Sequence, residues 1–261
     1  MPVRELSAAL ISEGLDTRLL GRRVLYYPRL RTTMDTARRE ALRGTPDGTV
    51  VVAGEQTAGR GRLKRTWLSP RGNLALSVVL YPERDHVHSL TMVASVAAAR
   101  SIEVVTGLAP ELKWPNDVLL GGRKICGILV ETSLRADRVD YAIVGIGVNV
   151  NLEPAAFPEL PPATTSVSRE AGREVSRLDL LRSLLRELDR LYLAESAGEA
   201  VYREWRDRLV TLGKPVRVTS PGITLEGTAE SVGPDGSLLL RLPDGTLERV
   251  LAADVTLRGQ T

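Results

Sequence analysis

The pattern of the sequence changes at Lys214, and this change constrains the fold more than any other feature. Before it, near-continuous apolar strands alternate with helical stretches, whereas after it short strands are separated by one Pro-Gly and two Pro-Asp-Gly turns. The first pattern is typical of a mixed α/β (α+β) domain and the second of a small β-barrel. We therefore predict an N-terminal helical segment over residues 1–22, a mixed α/β domain over 23–213 and an SH3-like β domain over 214–261.

Hydrophobic periodicity places the elements of the larger domain. Six leucines between Leu180 and Leu191 form a helical stripe, and residues 89–107 form a helix whose small side chains allow close packing on a sheet. A two-residue turn at Gly121-Gly122 joins two strands into a hairpin. The other predicted elements are helices over 1–21 (buried side Leu6, Ala9, Leu10 and Leu15), 32–42 and 199–213 (ending at Gly213) and strands over 22–28, 49–54, 73–82 and 139–151.

Composition excludes several classes of protein. The chain of 261 residues carries 35 basic and 32 acidic side chains, and the net charge of +3 gives no support for wholesale nucleic-acid binding. A single cysteine, Cys126, rules out an internal disulfide and fits a reducing compartment. The N-terminus lacks the apolar core of a signal peptide, and the apolar runs fall short of the ~20 residues that a membrane span needs. We expect a soluble, cytoplasmic protein.

The densest positive charge lies in a loop between two predicted core strands. Residues 59–67, GRGRLKRTW, carry the four cations Arg60, Arg62, Lys64 and Arg65. From these residues alone, three interpretations stay open: a solvated surface loop, a contact to nucleic acid, or an active-site loop whose arginines bind phosphate or carboxylate. The second is disfavoured because one loop lacks the repeated aromatic residues on which bases stack.

Polar residues elsewhere in the chain favour an active-site loop. Gln56 and Thr57 lie where a strand ends and the loop begins, and KWPND (113–117) precedes one hairpin arm. Lys124 opens the other arm beside Gly127. If these groups meet at one edge of the sheet, they form a polar site next to the basic loop.

The segment GIGVNVN places Asn149 and Asn151 on one predicted strand face, with glycines thin enough for a ligand to lie against the backbone. It lacks the third glycine and the helix opening of a dinucleotide fingerprint, and the chain has no G-x-x-x-x-G-K-[ST] loop. His86 and His88 have no accompanying cysteine cluster, so we predict no protein-held metal site.

Four separated motifs agree in order and spacing with a known family. They are TTMDTA, EQTAGRGRLKRTW, KWPNDVLLGGRKICGILVE and GIGVNVN, followed by the small β domain. Together they resemble biotin–protein ligases of the monofunctional type without an N-terminal DNA-binding domain. The resemblance spans roughly Arg23 to the C-terminus and implies a class II synthetase-like catalytic domain, a mixed sheet flanked by helices. Lys64 replaces the third glycine of the family's loop, which adds a charge and is expected to stiffen the loop slightly.

The resemblance implies roles for individual residues. Arg60 and Arg62 match arginines that hold the biotin carboxylate and the phosphate, and Trp67 matches a tryptophan that packs at the nucleotide. The implied catalytic residues are Lys124, Arg62 and Asp117. The implied biotin-binding residues are Thr32, Thr33, Met34, Gln56, Arg60, Gly61, Arg62, Lys124 and Gly127, and the implied ATP- or adenylate-binding residues are Arg60, Arg62, Trp67, Asn116, Lys124, Asn149 and Arg258.

The resemblance implies ATP and biotin as substrates, Mg²⁺ on the polyphosphate, and a biotin carboxyl carrier protein or domain as partner. It also implies a homodimer, which nothing in the residues themselves decides. Only about 22 residues precede the first predicted strand, too few for a winged-helix domain, so no operator binding is expected. Two alternatives stay open: a lipoate–protein ligase or octanoyltransferase, and a nucleic-acid-binding module with a degenerate site.

Overall fold

The computed structural model describes residues 5–135, 138–194, 197–220, 222–251 and 253–257. Its strands form a seven-stranded sheet followed by a five-stranded sheet. In chain order the elements are α1 (Ala8–Ser12), β1 (Val24–Tyr27), α2 (Thr33–Leu42), β2 (Thr49–Ala53), β3 (Leu74–Leu80), α3 (Leu90–Thr106), β4 (Glu111–Lys113), β5 (Asp117–Leu120), β6 (Arg123–Arg135), β7 (Arg138–Val148), α4 (Val167–Ala171), α5 (Arg177–Leu193), α6 (Ala197–Asp207), β8 (Pro215–Ser220), β9 (Ile223–Val232), β10 (Leu238–Arg241), β11 (Leu247–Val250) and β12 (Asp254–Leu257).

The larger sheet is mixed and is covered on both faces. Its strand order is β1-β2-β3-β7-β6-β5-β4, with β1 parallel to β2 and the remaining neighbours antiparallel. Every residue of β2 and β3 is buried, as expected for strands without a solvent face. Alternate residues of β2 pack on opposite sides, Val50 and Val52 in the main core and Val51 with Met34 and Ala37 of α2. The predicted mixed sheet flanked by helices is confirmed.

Helix α3 packs on β5, β6 and β7 and is covered in turn by α5 and α6. The predicted leucine stripe of α5 is buried at all six positions, Leu180, Leu181, Leu184, Leu185, Leu188 and Leu191. The helical stretch Arg84–Thr106 is 23 residues long and apolar enough to span a membrane. However, 61% of the 18-residue segment that gives it this apolar character is buried inside the protein. The expectation that every apolar run is too short was therefore wrong for this helix, which is apolar because protein surrounds it.

Within residues 5–21, the described part of the N-terminal segment, only Ala8–Ser12 is an α-helix, so the predicted helix over 1–21 was wrong in extent. Residues 1–4 lie outside the described residues. Leu6 is buried as expected, but Ala9 is exposed, while Ile11 and Leu20 are fully buried. The cause lies far along the chain, because the backbone N–H groups of residues 18–20 each donate to the buried carboxylate of Asp189, at 2.8 Å.

The C-terminal sheet has the strand order β11-β10-β9-β8-β12 and is antiparallel throughout. Helix α6 ends at Asp207 rather than continuing to Gly213, so the prediction of Gly213 as its C-cap was wrong. The chain between them instead joins the two sheets: Leu112 N–H donates to the Arg208 carbonyl, and Gly213 N–H donates to the Ala229 carbonyl of β9. The C-terminal sheet therefore packs directly behind the KWPND segment.

Candidate active site

A cavity of ≈ 320 Å³ opens where the basic loop, the N-terminus of α2, the strands β5 to β7 and strand β12 meet. All but one of the residues to which the sequence analysis gave a role line it: Thr32, Thr33, Met34, Gln56, Arg60, Gly61, Arg62, Trp67, Asn116, Asp117, Lys124, Gly127 and Asn149. The exception, Arg258, lies outside the described residues. The structure thus brings together residues more than 100 positions apart, while their individual roles stay predictions.

The cavity wall is strongly cationic. Among the described residues that line it, five are basic, Arg60, Arg62, Arg65, Lys113 and Lys124, and Asp117 is the single carboxylate. Fixed cations around a half-enclosed cavity attract and orient an anion. Arg65 and Lys113 had no assigned role in the sequence analysis, although both lie inside motifs quoted there.

Lys124 and Asp117 form an ion pair on the cavity wall. The β5–β6 hairpin brings them together, with Asp117 in register with Gly127, and Lys124 Nζ lies 2.5 Å from Asp117 Oδ1. The two side chains are 33% and 22% exposed, so an entering ligand has access to the lysine. An anionic ligand here would compete with Asp117 for the ammonium group.

The basic loop closes as a short hairpin. Trp67 N–H donates to the Gly59 carbonyl at 2.9 Å, and Gly61 N–H donates to the Arg65 carbonyl at 2.8 Å. A Cβ on Gly59 would lie 2.3 Å from the Trp67 carbonyl oxygen, so this position requires glycine. The left-handed conformation within the turn falls on Leu63, with φ of 52°, and not on Lys64, the residue that replaces the family glycine.

Asn116 connects the KWPND segment to the loop and to β6. Its carboxamide oxygen accepts from Arg62 Nη1 at 3.3 Å, and its nitrogen donates to the Ile128 carbonyl at 2.6 Å. The backbone of Asn116 accepts from Ile128 N–H. Asn116 is therefore fixed by β6 and in turn orients the Arg62 side chain at the cavity.

Arg60 is held by two carboxylates that the sequence analysis did not assign. Its guanidinium lies 3.0 Å from Asp35 Oδ1 and 3.3 Å from Glu131 Oε1. Arg38 pairs with the same two acids. Both acids lie inside sequence motifs, Asp35 in TTMDTA and Glu131 in GILVE, but their pairing with Arg60 depends on the spatial contact between α2 and β6.

Trp67 lies flat against a pair of glycines. Gly127 and Gly147 face each other across β6 and β7, and a Cβ on Gly147 would lie 2.3 Å from the indole Nε1 and 2.4 Å from Cε2. The Lys124 ammonium lies 5.4 Å from the ring centroid. The indole N–H is buried with no hydrogen-bond partner among the described residues, so a ligand acceptor at this point would satisfy it.

A hydrogen-bonded chain fixes the start of α2 at the cavity. Thr33 donates to Gln56 Oε1 from its backbone N–H at 2.8 Å and from its hydroxyl at 3.1 Å, and Ser77 of β3 donates to the Thr33 hydroxyl at 2.8 Å. Met34 is buried beside Gly145, where a Cβ would lie 2.5 Å from its sulfur. The part of the cavity wall at the start of α2 therefore combines the polar groups of Thr33 and Gln56 with the apolar side chain of Met34.

The expectation that Asn149 and Asn151 share a strand face was wrong. Strand β7 ends at Val148, and both asparagines follow it. Asn149 donates to the Thr165 carbonyl at 3.2 Å and lines the cavity, whereas Asn151 exchanges hydrogen bonds with the backbone of Val175 and does not line it. Their amides are needed to satisfy loop backbone, a demand that a strand pattern does not reveal.

Three further residues of possible chemical interest, Cys126, His86 and His88, do not line the cavity. Cys126 is fully buried, and burial raises the pKa of its thiol far above the ordinary value, outweighing the opposite effect of Lys124. His86 and His88 lie on the short 3₁₀ turn Arg84–Ser89 and do not line the cavity. The candidate reactive groups therefore stay the cations and polar groups that line the cavity.

Comparison with known proteins identifies the family. The model of the "Biotin/lipoate A/B protein ligase family" matches residues 26–149, and that of the "Biotin protein ligase C terminal domain" matches residues 211–258. The biotin–[acetyl-CoA-carboxylase] ligase of Paracoccus denitrificans is 36% identical over 236 residues, which are 86% of this chain and 98% of that protein. The bifunctional ligase/repressor BirA of Bacillus subtilis is 35% identical over 259 residues, 97% of this chain and 79% of that protein.

Solved structures of biotin protein ligases have the same fold as this chain. The biotin protein ligase of Aquifex aeolicus in complex with biotin and ATP superposes with a TM-score of 0.74 at 27% identity, over 91% of this chain and 99% of that one. The Leishmania major enzyme in complex with biotinyl-5-AMP superposes with a TM-score of 0.63 at 27% identity, over 88% and 99%. Sequence relatives, domain matches and fold all lead to one conclusion: the chain belongs to the biotin/lipoate A/B protein ligase family and has the C-terminal domain of the biotin protein ligases.

Proposed function

We propose that this protein is a biotin–protein ligase that activates biotin with ATP and transfers it to a lysine of a biotin carboxyl carrier protein. The observation that carries the proposal is the cavity in which five cations surround one carboxylate. Its relatives include biotin–[acetyl-CoA-carboxylase] ligases, which are named for this reaction.

In the first step the biotin carboxylate attacks the α-phosphorus of ATP. A carboxylate O–P bond forms, the bond to the β-phosphate oxygen breaks, and pyrophosphate leaves with the electron pair. Two anions meet in this step, so fixed cations both bring them together and stabilise the charge that grows on the phosphoryl oxygens. Lys124 and Arg62 both line the cavity, are held by the adjacent residues Asp117 and Asn116, and supply this charge.

Mg²⁺ enters as part of the substrate. Within the described ranges, no three His, Cys, Asp or Glu side chains cluster as a metal site. Mg²⁺ on ATP usually takes one or two carboxylates besides phosphate oxygens and water. Asp117, with the adjacent Asn116 carboxamide, fits that requirement, and the ion would neutralise charge on the polyphosphate.

In the second step the lysine amine of the carrier attacks the acyl carbon of biotinyl-AMP. The C–N bond forms, the C–O bond to the phosphate breaks, AMP leaves as the anion, and the nitrogen gives up a proton. The mixed anhydride is open to hydrolysis, so a site that excludes water protects it. The indole of Trp67, already packed on Gly127 and Gly147, is the side chain placed to cover it.

The proposal also covers location, oligomeric state, domain bounds and DNA binding. The protein acts in the cytoplasm and forms a homodimer. Its catalytic domain spans 23–213 and its C-terminal domain 214–261, and the 261-residue chain binds no operator DNA. A sequence-specific, salt-resistant gel shift by this chain would contradict the last point. A lipoate substrate is the principal alternative for the reaction itself.

Biotin-dependent exchange of pyrophosphate into ATP tests the function directly, with lipoate run in parallel. We expect exchange with biotin alone. Exchange with lipoate alone would keep the mechanism and overturn the substrate. No exchange with either acid would contradict the proposal and leave the basic loop as either a nucleic-acid contact or a solvated surface loop.

A further inference from the structure

A second, basic groove lies beside the cavity. It has a volume of ≈ 790 Å³ and is lined by four arginines, Arg29, Arg31, Arg38 and Arg39, together with residues at the start of α2. Thr32 lines both the groove and the cavity, so the two lie side by side. The proposed chemistry gives this groove no part in the binding of biotin or ATP.

Two of the four arginines are paired with carboxylates of this protein. Arg29 pairs with Glu55 at 3.3 Å. Arg38 pairs with Asp35 at 3.5 Å and with Glu131. These ion pairs compensate part of the positive charge of the groove.

Arg31 and Arg39 are different. Both are exposed, and within the described part of the chain neither has a carboxylate within ion-pair distance. Arg39 is oriented by a hydrogen bond to the Thr36 hydroxyl at 3.0 Å. The groove therefore presents two uncompensated guanidinium groups beside the opening of the cavity, a feature that suits an acidic partner.

The proposed second step creates a need for such a partner surface. The acceptor lysine must approach a cavity whose wall carries five cations, and its own charge is of the same sign. Like charges brought together cost binding energy unless opposite charges nearby compensate them. A carrier that presents carboxylates beside its lysine meets this need if those carboxylates have a cationic docking surface outside the cavity.

We propose that the basic groove is the docking site for the carrier protein, with carboxylates that flank the target lysine bound by Arg31 and Arg39. This inference rests on the proposed function and concerns only its second step. Arg31 and Arg39 contact the carrier and take no part in the formation of biotinyl-AMP.

The test separates the two steps. Arg31→Glu and Arg39→Glu are compared with wild type and with Arg22→Glu, which reverses the charge of another exposed arginine outside the groove. Three rates are measured: pyrophosphate exchange, transfer to hydroxylamine as a small acceptor, and biotinylation of a purified, unmodified biotin carrier domain. We expect kcat/KM for the carrier domain to fall about tenfold in each groove variant, with a weaker dependence on KCl than in wild type. Exchange and hydroxamate formation stay at the wild-type level.

Each other outcome overturns the docking site. Carrier kcat/KM equal to that of Arg22→Glu shows that the groove is not used, and a parallel loss of exchange shows that it serves adenylation instead. Binding of a DNA duplex that is lost in the groove variants, with carrier transfer unchanged, assigns the groove to nucleic acid. If wild type itself shows no exchange with biotin, the proposed function fails, a result distinct from failure of the docking site.

Discussion

At the scale of single residues, the cavity depends on charges that are held in place before any ligand enters. Lys124 is braced by Asp117, Arg62 by Asn116, and Arg60 by two carboxylates. A cation whose position is already fixed stabilises developing charge without reorganising during the reaction. The side chains that hold these cations are therefore as much a part of the site as the cations themselves.

Removing one braced cation tests this directly. In Lys124→Ala or Arg62→Ala we expect adenylation to fall by about 100-fold or more, because a fixed charge at the phosphoryl group is lost. Pyrophosphate exchange measures the loss, and thermal unfolding checks that the fold is kept. Arg123→Ala, at the exposed neighbour of Lys124 that pairs with Glu170, is the control and stays active. Near-normal exchange by both cavity variants would disprove the assignment.

Replacing Gly147 is expected to impair ATP binding as much as replacing a residue that contacts the ligand. Gly147→Ala puts a methyl group where the indole of Trp67 lies, with 2.3 Å to Nε1, so the ring must move. We expect altered tryptophan emission, stronger acrylamide quenching and a raised KM for ATP. Trp67→Phe identifies the part of the signal that belongs to this indole. Emission and quenching identical to wild type would show that the ring does not rest on this glycine.

At the scale of elements, the clearest lesson comes from the N-terminal segment. Its sequence has apolar residues at helical spacing, yet of its described residues, 5–21, only five are in an α-helix. Asp189 of α5 accepts three backbone N–H groups from residues 18–20 and so fixes a turn there. A buried carboxylate with several N–H donors outweighs a weak helical preference.

Replacing that carboxylate is expected to release the segment from α5. Asp189→Ala leaves three backbone donors without their acceptor, and we expect a loss of at least about 2 kcal/mol in the free energy of unfolding, since hydrogen bonds to charged groups contribute about 1.5–3 kcal/mol each. Asp189→Asn, which keeps one acceptor oxygen, is expected to lose less. Urea unfolding and limited proteolysis near residue 20 measure both effects. Equal stability of all three proteins would contradict this account.

At the scale of the whole molecule, the C-terminal sheet completes the catalytic cavity. Val255 and Thr256 of β12 line it beside the KWPND segment. The buried indole of Trp114 in that segment donates to the Gly236 carbonyl at 2.9 Å, and its backbone N–H donates to the Thr211 hydroxyl at 3.0 Å. The position of Asn116 and Asp117 thus depends on contacts between the two sheets.

Trp114→Phe is expected to weaken the contact between the two sheets. It leaves the partly buried Gly236 carbonyl without its donor, and the loss of a hydrogen bond of this kind costs about 1 kcal/mol. We expect a lower free energy of unfolding and a raised KM for ATP with kcat less affected. Trp205→Phe shrinks another buried indole away from the cavity and should lower stability without the change in KM. A KM for ATP that is unchanged in Trp114→Phe would argue against this contact positioning the site.

Local pattern determined much of this protein. Periodicity and turn chemistry predicted strand β3, helix α5 and the β5–β6 hairpin, because each depends on neighbours along the chain. The motifs also named thirteen of the residues that line the cavity. The failures fall where a distant group decides: the helix at the N-terminus, the strand face of Asn149, and the assumed C-cap at Gly213.

The sequence by itself predicted the residues to which we assign the chemistry, since the cationic loop and the KWPND motif can be recognised in the order of amino acids. Only the tertiary structure decided what holds and completes them: Asp35 and Glu131 on Arg60, the Gly127–Gly147 pair under Trp67, and β12 at the cavity wall. The reason is physical. Hydrophobic patterning depends on residues a few positions apart, whereas ion pairs, close backbone contacts and cavities depend on residues that only folding makes neighbours.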